Sequence, residues 1–531
     1  MMFEILFFGL VVLPLLGGCL AFLWRPLAVP ANGLVVVVQL VCGFGLASKV
    51  MAEGPLTYEA GGWDAPLGIN MYADGLTALM LVMVAVVAAA VVVYADGAIS
   101  LSDQTMDDQQ LFWPINLLLL ASLNALFLSG DIFNLYVTLE LLTLSAVALI
   151  GLVGKVDALA AALRYLLIAI AASLLYLLGV AILYSVYGNV DWQLLGGEFR
   201  PDAPSLLAIA LILSGLLLKT AVFPLHFWLP AAHASAPTPA SALLSALVLK
   251  ASFFIILRLW FSVFPFQDLR AAGLLLTSLG VAAILWGSVQ AIRQTHLKLM
   301  VAYSTVAQIG YLFLVFSLAG EPSVAFDAWS ATALFAVSHA FAKASVFLAA
   351  GSLQYATGSG EIESLAGVAQ QQPVTTLAFA TAGVVLIGLP PSGAFIAKWL
   401  LLGAAIKAGQ WPLAAVILIG GVLAAIYVFR VVGLLMLSDP PKPTRPIPGR
   451  MQYAALSLAI MAATLGVVTA PALRLLGVDA PFGRAADQSL SVAEVVKTFG
   501  SSESSSKLWT SSATDGISEG VIEEASNDEL E

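Results

Sequence analysis

An all-helical protein that crosses a membrane about 14 times is the fold the sequence predicts, and three observations predict it. Sixty per cent of the residues are apolar and only 10% are charged, where soluble domains carry about 25% charged residues. Apolar runs of about 18 residues or more, long enough to cross bilayer hydrocarbon, recur along most of the chain. No stretch alternates apolar and polar residues as barrel strands do. A soluble chain of 531 residues with this composition would lack the polar groups to cover its surface, whereas lipid accepts apolar side chains on the outside.

The first run, 3–24, holds Glu4 and has neither a basic n-region nor a small-residue cleavage site, so it reads as a spanning helix and not as a cleaved signal. The further predicted spans have cores at 29–50, 73–95, 111–129, 131–152, 160–187, 205–230, 239–265, 271–291, 298–319, 328–354, 373–405, 411–437 and 450–470. Cys19 and Cys42 fall in the first two, away from any CxxC or histidine, and read as packing residues, not metal ligands or a disulfide. Bases in alternate short loops set the expected orientation. Arg25, Lys155, Arg293, Lys298, Lys442, Arg445 and Arg450 fall on one side, against chiefly Lys49, Arg200, Arg270 and Lys407 on the other, so the N-terminus is expected outside.

Two spans are interrupted. In the seventh, Leu217-Leu218-Lys219-Thr220-Ala221-Val222-Phe223-Pro224 puts a proline in mid-helix, five residues after a lysine. In the twelfth, Gly388-Leu389-Pro390-Pro391-Ser392-Gly393 breaks the helix, and Lys398 follows. Proline removes a ladder hydrogen bond, and the freed carbonyls need other partners. Breaks at matching places in two halves are the mark of an inverted-repeat transporter. The expected organisation is therefore 1–110 with three helices, a first five-helix repeat at 111–265 (spans 4–8) and an inverted second at 271–437 (spans 9–13). A last helix at 450–470 and a tail at 485–531 follow.

That tail, with the run Gly500-Ser501-Ser502-Glu503-Ser504-Ser505-Ser506, cannot bury enough apolar surface to fold alone. From Asp487 onward it holds ten acids and two bases, and so carries most of the net charge of −10. The acidic balance says nothing about partners of the membrane body, and the absence of a basic patch excludes nucleic acid.

Most charges avoid the spans, but Glu140, Lys219, Lys250, Lys343 and Lys398 do not, and His339 shares a helix face with Lys343 four residues on. Each such charge costs at least about 2.5–3.5 kcal/mol to insert, so function is the default reading. A structural ion pair or a snorkelling side chain is the alternative for each. Arg258 and Arg430 sit near helix ends, where the structural reading is the better one. His226 and His233 flank Trp228-Leu229-Pro230 at the broken seventh span. No acid or cysteine stands near to complete a metal site, so they read as relay groups, with a hydrogen-bonded core histidine as the alternative for His233. Lys219-Thr220 mimics the end of a phosphate loop without its glycines, and no nucleophile elbow or haem motif appears. No cofactor or metal is expected in this chain, and no catalysis on an organic substrate.

These residues resemble the antiporter-like family of proton-translocating membrane subunits: the large subunits of Mrp-type cation/proton antiporters (D-like), the pumping subunits of respiratory complex I, and the membrane subunits of energy-converting hydrogenases. The resemblance covers roughly residues 70–470 and is carried by three stretches. One runs from Leu218 to Lys250, with Phe223-Pro224-Leu225-His226, Trp228-Leu229-Pro230, Ala232-His233, Ala236-Pro237-Thr238-Pro239 and Ser241-Ala242-Leu243-Leu244. The others are Ala302-Tyr303-Ser304-Thr305-Val306-Ala307-Gln308-Ile309-Gly310 and His339-Ala340-Phe341-Ala342-Lys343-Ala344. The resemblance implies that Glu140 pairs with Lys219, that Lys250 connects the halves, that His339 and Lys343 continue the row, and that Lys398 ends it. Ala231 stands where the family usually has aspartate, which leaves the 230–233 corner without an implied role.

The implied mechanism is an ion-pair-controlled switch of lysine pKa. At an effective dielectric of about 20, a pair at 4 Å is worth about 4 kcal/mol. With Glu140 close Lys219 keeps its proton, and with the pair opened the buried amine can pass it on through water. The leading expectation is a subunit of a multi-subunit monovalent cation (Na+)/proton antiporter in an inner cell membrane, partnered by other membrane subunits. The alternative is the pump subunit of a redox-driven complex, NADH-quinone oxidoreductase or an energy-converting hydrogenase, whose flavin and iron–sulfur centres sit in partner chains. No apolar segment after the last span could form a lateral helix, which tips the expectation toward the antiporter. A purely structural subunit would have no use for the buried charges.

Overall fold

The computed structural model describes residues 2–101, 110–437 and 444–482, so Lys442, the acidic loop 103–108 and the tail 485–531 lie outside the described residues. Its helices are α1 (Glu4–Leu23), α2 (Arg25–Glu53), α3 (Gly75–Ile99), α4 (Phe112–Leu128), α5 (Ile132–Gly151), α6 (Val156–Tyr187), α7 (Ala203–Thr220), α8 (Thr238–Ser262), α9 (Arg270–Arg293), α10 (Leu297–Leu318), α11 (Ala325–Thr357), α12 (Pro373–Ile387), α13 (Gly393–Lys407), α14 (Trp411–Leu435), α15 (Gly449–Thr464) and α16 (Thr469–Leu476). Where they start follows local chemistry: Asp74, Asp131 and Asp202 each accept a backbone N–H of the helix they open. At exposed Asp202 the Ser205 hydroxyl and N–H hold the carboxyl below its ordinary range.

Among the described residues, 11 helices are long and apolar enough to cross a membrane, or 12 if α15 and α16, bent by 72°, count as one span. The sequence reading expects 14, and the difference has a geometric cause. α4 has 17 residues, about 25 Å of helix against a hydrocarbon core of about 30 Å. The predicted twelfth span is two helices, α12 and α13, of 15 residues each. The all-helical expectation also needs one addition. Leu56–Ala60 and Ile69–Ala73 form an antiparallel hairpin in the loop before α3. Strands of five residues are too short to register against the apolar runs around them.

The core is formed by α8 and α11, whose most apolar 18 residues are wholly buried, with α10 (89%) and α3 (83%), while the other spans are half buried or less. α9 and α10 approach closely enough that a Cβ on Gly280 or Gly310 would strike the other glycine's carbonyl at 2.7 and 2.4 Å. Small residues are how apolar helices pack where lipid and protein are equally greasy.

One end of the core is tied by Arg258. Its guanidinium is bidentate on Asp74 (Nη2–Oδ1 2.8 Å), donates to Thr77 at 3.1 Å, and lies against the rings of Trp192, Phe254 and Tyr72. Tyr72 in turn donates to Asp479. Hairpin, α3, α8 and the segment after α16 meet there, so the structural reading of Arg258 fits this geometry. Arg430 likewise caps α9, donating to Ile292 O (2.7 Å) and Gln294 O (3.0 Å). Arg258→Ala leaves a buried, unpaired Asp74, and its expected cost of about 3–5 kcal/mol is measurable as a lowered thermal midpoint of the detergent-solubilised protein. Adding Asp74→Asn to it should recover part of the loss.

Candidate functional site

The break that ends α7 is built around Lys219. The helix stops at Thr220, Ala221 takes a left-handed conformation (φ 54°), and residues 222–228 are unwound before the short helix Leu229–Ser235. Lys219, in the last helical turn, donates to Glu140 Oε1 at 2.7 Å and to Thr143 Oγ1 at 3.0 Å. Ser173 on α6 donates to the same Glu140 oxygen. The lysine side chain is 5% exposed and the glutamate 22%, so Glu140 is the more accessible partner of the pair. Trp228 Nε1 donates to the Leu218 carbonyl (3.1 Å), and its ring stacks on Tyr165 at 4.2 Å, holding the unwound segment against α6.

Lys250 follows a π-helical turn, Leu244–Val248, inside α8. Such a turn shifts the backbone ladder by one residue and recurs at functional sites. The ammonium of Lys250 donates to Ser245 O in that turn, and the Ser245 hydroxyl bonds Thr305 of α10 at 3.0 Å. Lys343, wholly buried in α11, donates to Val301 O (2.9 Å) and to the Ser304 hydroxyl of α10. Lys398 reaches back across the second break: from α13 its Nζ donates to Leu386 O and Ile387 O, both at 3.1 Å, the last carbonyls of α12. The negative end of a helix dipole suits an ammonium, and the ring face of Tyr311, 4.3 Å from Nζ, adds to it.

Two of the histidines, His339 and His233, have ring contacts in place of hydrogen bonds. His339 stacks on Phe335 (5.8 Å) and His233 on Phe347 (4.8 Å), and neither ring nitrogen of either residue has a partner. His233 thus takes its place in the core by ring stacking, with no protein group bonded to either ring nitrogen. His339 is in electrostatic reach of Lys250, Lys343 and Lys398, and His233 of Lys343, Lys250 and Lys298. His226 packs on Phe223 (5.5 Å) in the unwound segment, its Nδ1 unpartnered, while His296 is exposed at the start of α10.

The geometry thus brings Lys219 to Glu140 and strings Lys250, His339, Lys343 and Lys398 through the enclosed core. Sequence reasoning misses several of their partners. Lys298, counted with the loop bases, lies in the first turn of α10 and donates to Ala236 O at 3.2 Å. Thr143 sits three residues from Glu140, and Ser304 and Gln308 lie within the 302–310 stretch. Only a contact map would have singled them out. Among the described residues no group of three or more His, Cys, Asp or Glu could hold a metal ion.

A polytopic membrane protein with a buried row of lysines, one of them paired to a carboxylate at a helix break, is the class these features define. The chain belongs to the family described as NADH:quinone oxidoreductase/Mrp antiporter, TM, which matches residues 129–424. It is 35% identical over 483 residues to the N subunit of NADH-quinone oxidoreductase of Desulforudis audaxviator, covering 86% of this chain and 94% of that one. It is 28% identical over 403 residues to the D subunit of the Na(+)/H(+) antiporter of Alkalihalophilus pseudofirmus, covering 75% and 80%. Its fold matches a chain of the Mrp complex from Dietzia sp. DQ12-45-1b with a TM-score of 0.82 at 24% identity, over 91% of this chain and 98% of that one.

At the second break Gly388 is left-handed (φ 89°), and a Cβ there would lie 2.7 Å from Lys398 Cδ. Gly388→Ala should cost about 1 kcal/mol or more in stability and push the lysine off its two carbonyls. Proton flux should fall further than the loss of folded protein explains. The check is flux per folded complex.

Proposed function

We propose that the chain is the proton-translocating subunit of a multi-subunit membrane complex, and that this complex is a monovalent cation/proton antiporter. The Glu140–Lys219 ion pair, formed at the point where α7 unwinds, carries the reading. At 2.7 Å the carboxylate stabilises a charged ammonium against its burial, and an unwound segment three residues away can change its distance at low cost. Loss of the partner leaves a buried amine that can hand its proton inward. Lys250, His339, Lys343 and Lys398 are then the stations of the row, with His226 and His233 as side relays near the first break. Refilling on one side and release near Lys398 give direction.

The two breaks support two halves, 111–265 and 271–437, of one design. Each first helix ends in a left-handed residue, Ala221 or Gly388, and each has a proline three residues on, Pro224 or Pro391. The halves are not copies, because the lysine precedes the break in one and follows it in the other. The asymmetry of loop bases supports an N-terminus on the outer side of an inner cell membrane, and other membrane subunits are the partners. A second reading, the pump subunit of a redox-driven complex, is favoured by the relative at 35% identity. Mass spectrometry of the intact complex separates the two: hydrophobic membrane subunits without flavin or iron support the antiporter, whereas iron–sulfur subunits assign the same row to a redox pump.

Glu140→Ala and Lys219→Ala should each lower coupled proton transport by about tenfold or more in everted vesicles, with the complex still assembled. An assembled Glu140→Ala complex that transports normally would sink the pair switch.

A further inference from the structure

The stretch of α10 around Ser304 and Gln308 supports the row so far only as a set of contacts, and it bonds to it repeatedly. Ser304 accepts from Lys343, and Thr305 bonds Ser245 beside Lys250. Gln308 Nε2 donates to the Tyr427 hydroxyl of α14 at 3.3 Å, and Tyr311 offers its ring to Lys398. Spacings of three and four residues put Ser304, Gln308 and Tyr311 on one face of the helix. Tyr427 is 1% exposed and in hydrogen-bonding reach of Ser304, with Tyr311 as its electrostatic neighbour. Gln308 Oε1 is buried without a partner.

A direct passage from His339 to Lys398 meets an obstacle. The Phe335 ring stacks on His339 and lies 5.6 Å from Lys398 Nζ, and a phenyl ring carries no proton. Hydroxyls do, because an oxygen can accept one proton while releasing its own. The Gln308 amide, donating to the Tyr427 oxygen, leaves the hydroxyl proton free to point elsewhere.

Building on the proton-translocation reading above, we propose that the Tyr427 hydroxyl, oriented by Gln308, relays protons between Lys343 and Lys398. The Lys343 ammonium gives a proton to Ser304 Oγ, the Ser304 hydroxyl proton moves to the Tyr427 oxygen, and the Tyr427 proton passes to the neutral amine of Lys398, over one water where needed. Each oxygen forms one O–H bond and breaks one. The net change is a neutral Lys343 and a protonated Lys398.

The experiment is proton flux in everted vesicles holding the assembled complex, in H2O and D2O, for wild type, Glu140→Ala, Tyr427→Phe and Ser304→Ala. Tyr427→Phe keeps the ring and removes only the hydroxyl, and Ser304→Ala tests the same path should the first variant fail to assemble. The expected result is a fall of about tenfold or more with a larger solvent isotope effect, since transfer between the lysines becomes limiting. Flux within twofold of wild type overturns the relay, and so does a fall with an unchanged isotope effect, which marks a packing role. If Glu140→Ala is inactive while Tyr427→Phe is normal, the relay alone fails. If Glu140→Ala is also normal, the translocation reading fails with it.

Discussion

A protonated lysine in the interior of a membrane protein must find oxygen, and in this molecule the oxygen comes mostly from backbone at places where a helix is irregular. A regular helix has few to give, because each carbonyl is already used by the N–H four residues on; Lys343, which shares Val301 O inside α10, is the exception. Lys250 takes its carbonyl from the π turn of its own helix, Lys398 from the C-terminal end of α12, and Lys298 from the segment after Leu229–Ser235. The breaks are thus the sites of the charges as well as hinges beside them. A continuous α12 would spend the carbonyls of Leu386 and Ile387 on its own ladder and leave Lys398 without a partner.

Lys219 differs in kind, because its partner is a carboxylate. A carbonyl dipole stabilises the ammonium but cannot be lost without moving backbone, whereas a glutamate side chain can swing away on its rotamers. Coulomb energy of about 4 kcal/mol at 4 Å and an effective dielectric of about 20 makes that swing a large event for the lysine's proton. Of the row, then, Lys219 alone has a charged partner that can swing away, while the other lysines rest on carbonyls and, at Lys343, on a hydroxyl as well. On the proposed reading, the atoms that hold each charge make Lys219 the control point of the row.

The charges themselves were legible in the sequence, because insertion into apolar runs is costly enough to make Glu140, Lys219, Lys250, Lys343 and Lys398 stand out singly. The breaks were legible because proline and glycine act locally. What could not be read was anything decided by neighbours far along the chain. Arg258 meets Asp74 at a separation of 184 residues, and no local pattern joins them. The hairpin before α3 is too short to show a period of two against its apolar surroundings. The expected count of spans differs from the 11 or 12 long apolar helices among the described residues for a related reason. Hydropathy sums over a window and cannot see that α12 and α13 are separate helices, nor that α4 stops at 17 residues, about 5 Å short of the hydrocarbon thickness.

Ala221 shows how local conformation and function meet. An alanine in the left-handed region is strained by roughly 1–2 kcal/mol, where a glycine, as at position 388, is not. The strain lies two residues beyond Lys219 and is held in place by Trp228, whose indole bonds Leu218 O and stacks on Tyr165. A strained residue persists only while its surroundings over-determine it. Any motion of α6 that loosens Tyr165 from Trp228 therefore releases the turn that positions Lys219. α6 also carries Ser173, the hydroxyl on Glu140. One helix holds both partners of the ion pair, the glutamate by a direct bond and the lysine through the unwound segment, so a shift of α6 acts on the pair from both sides at once.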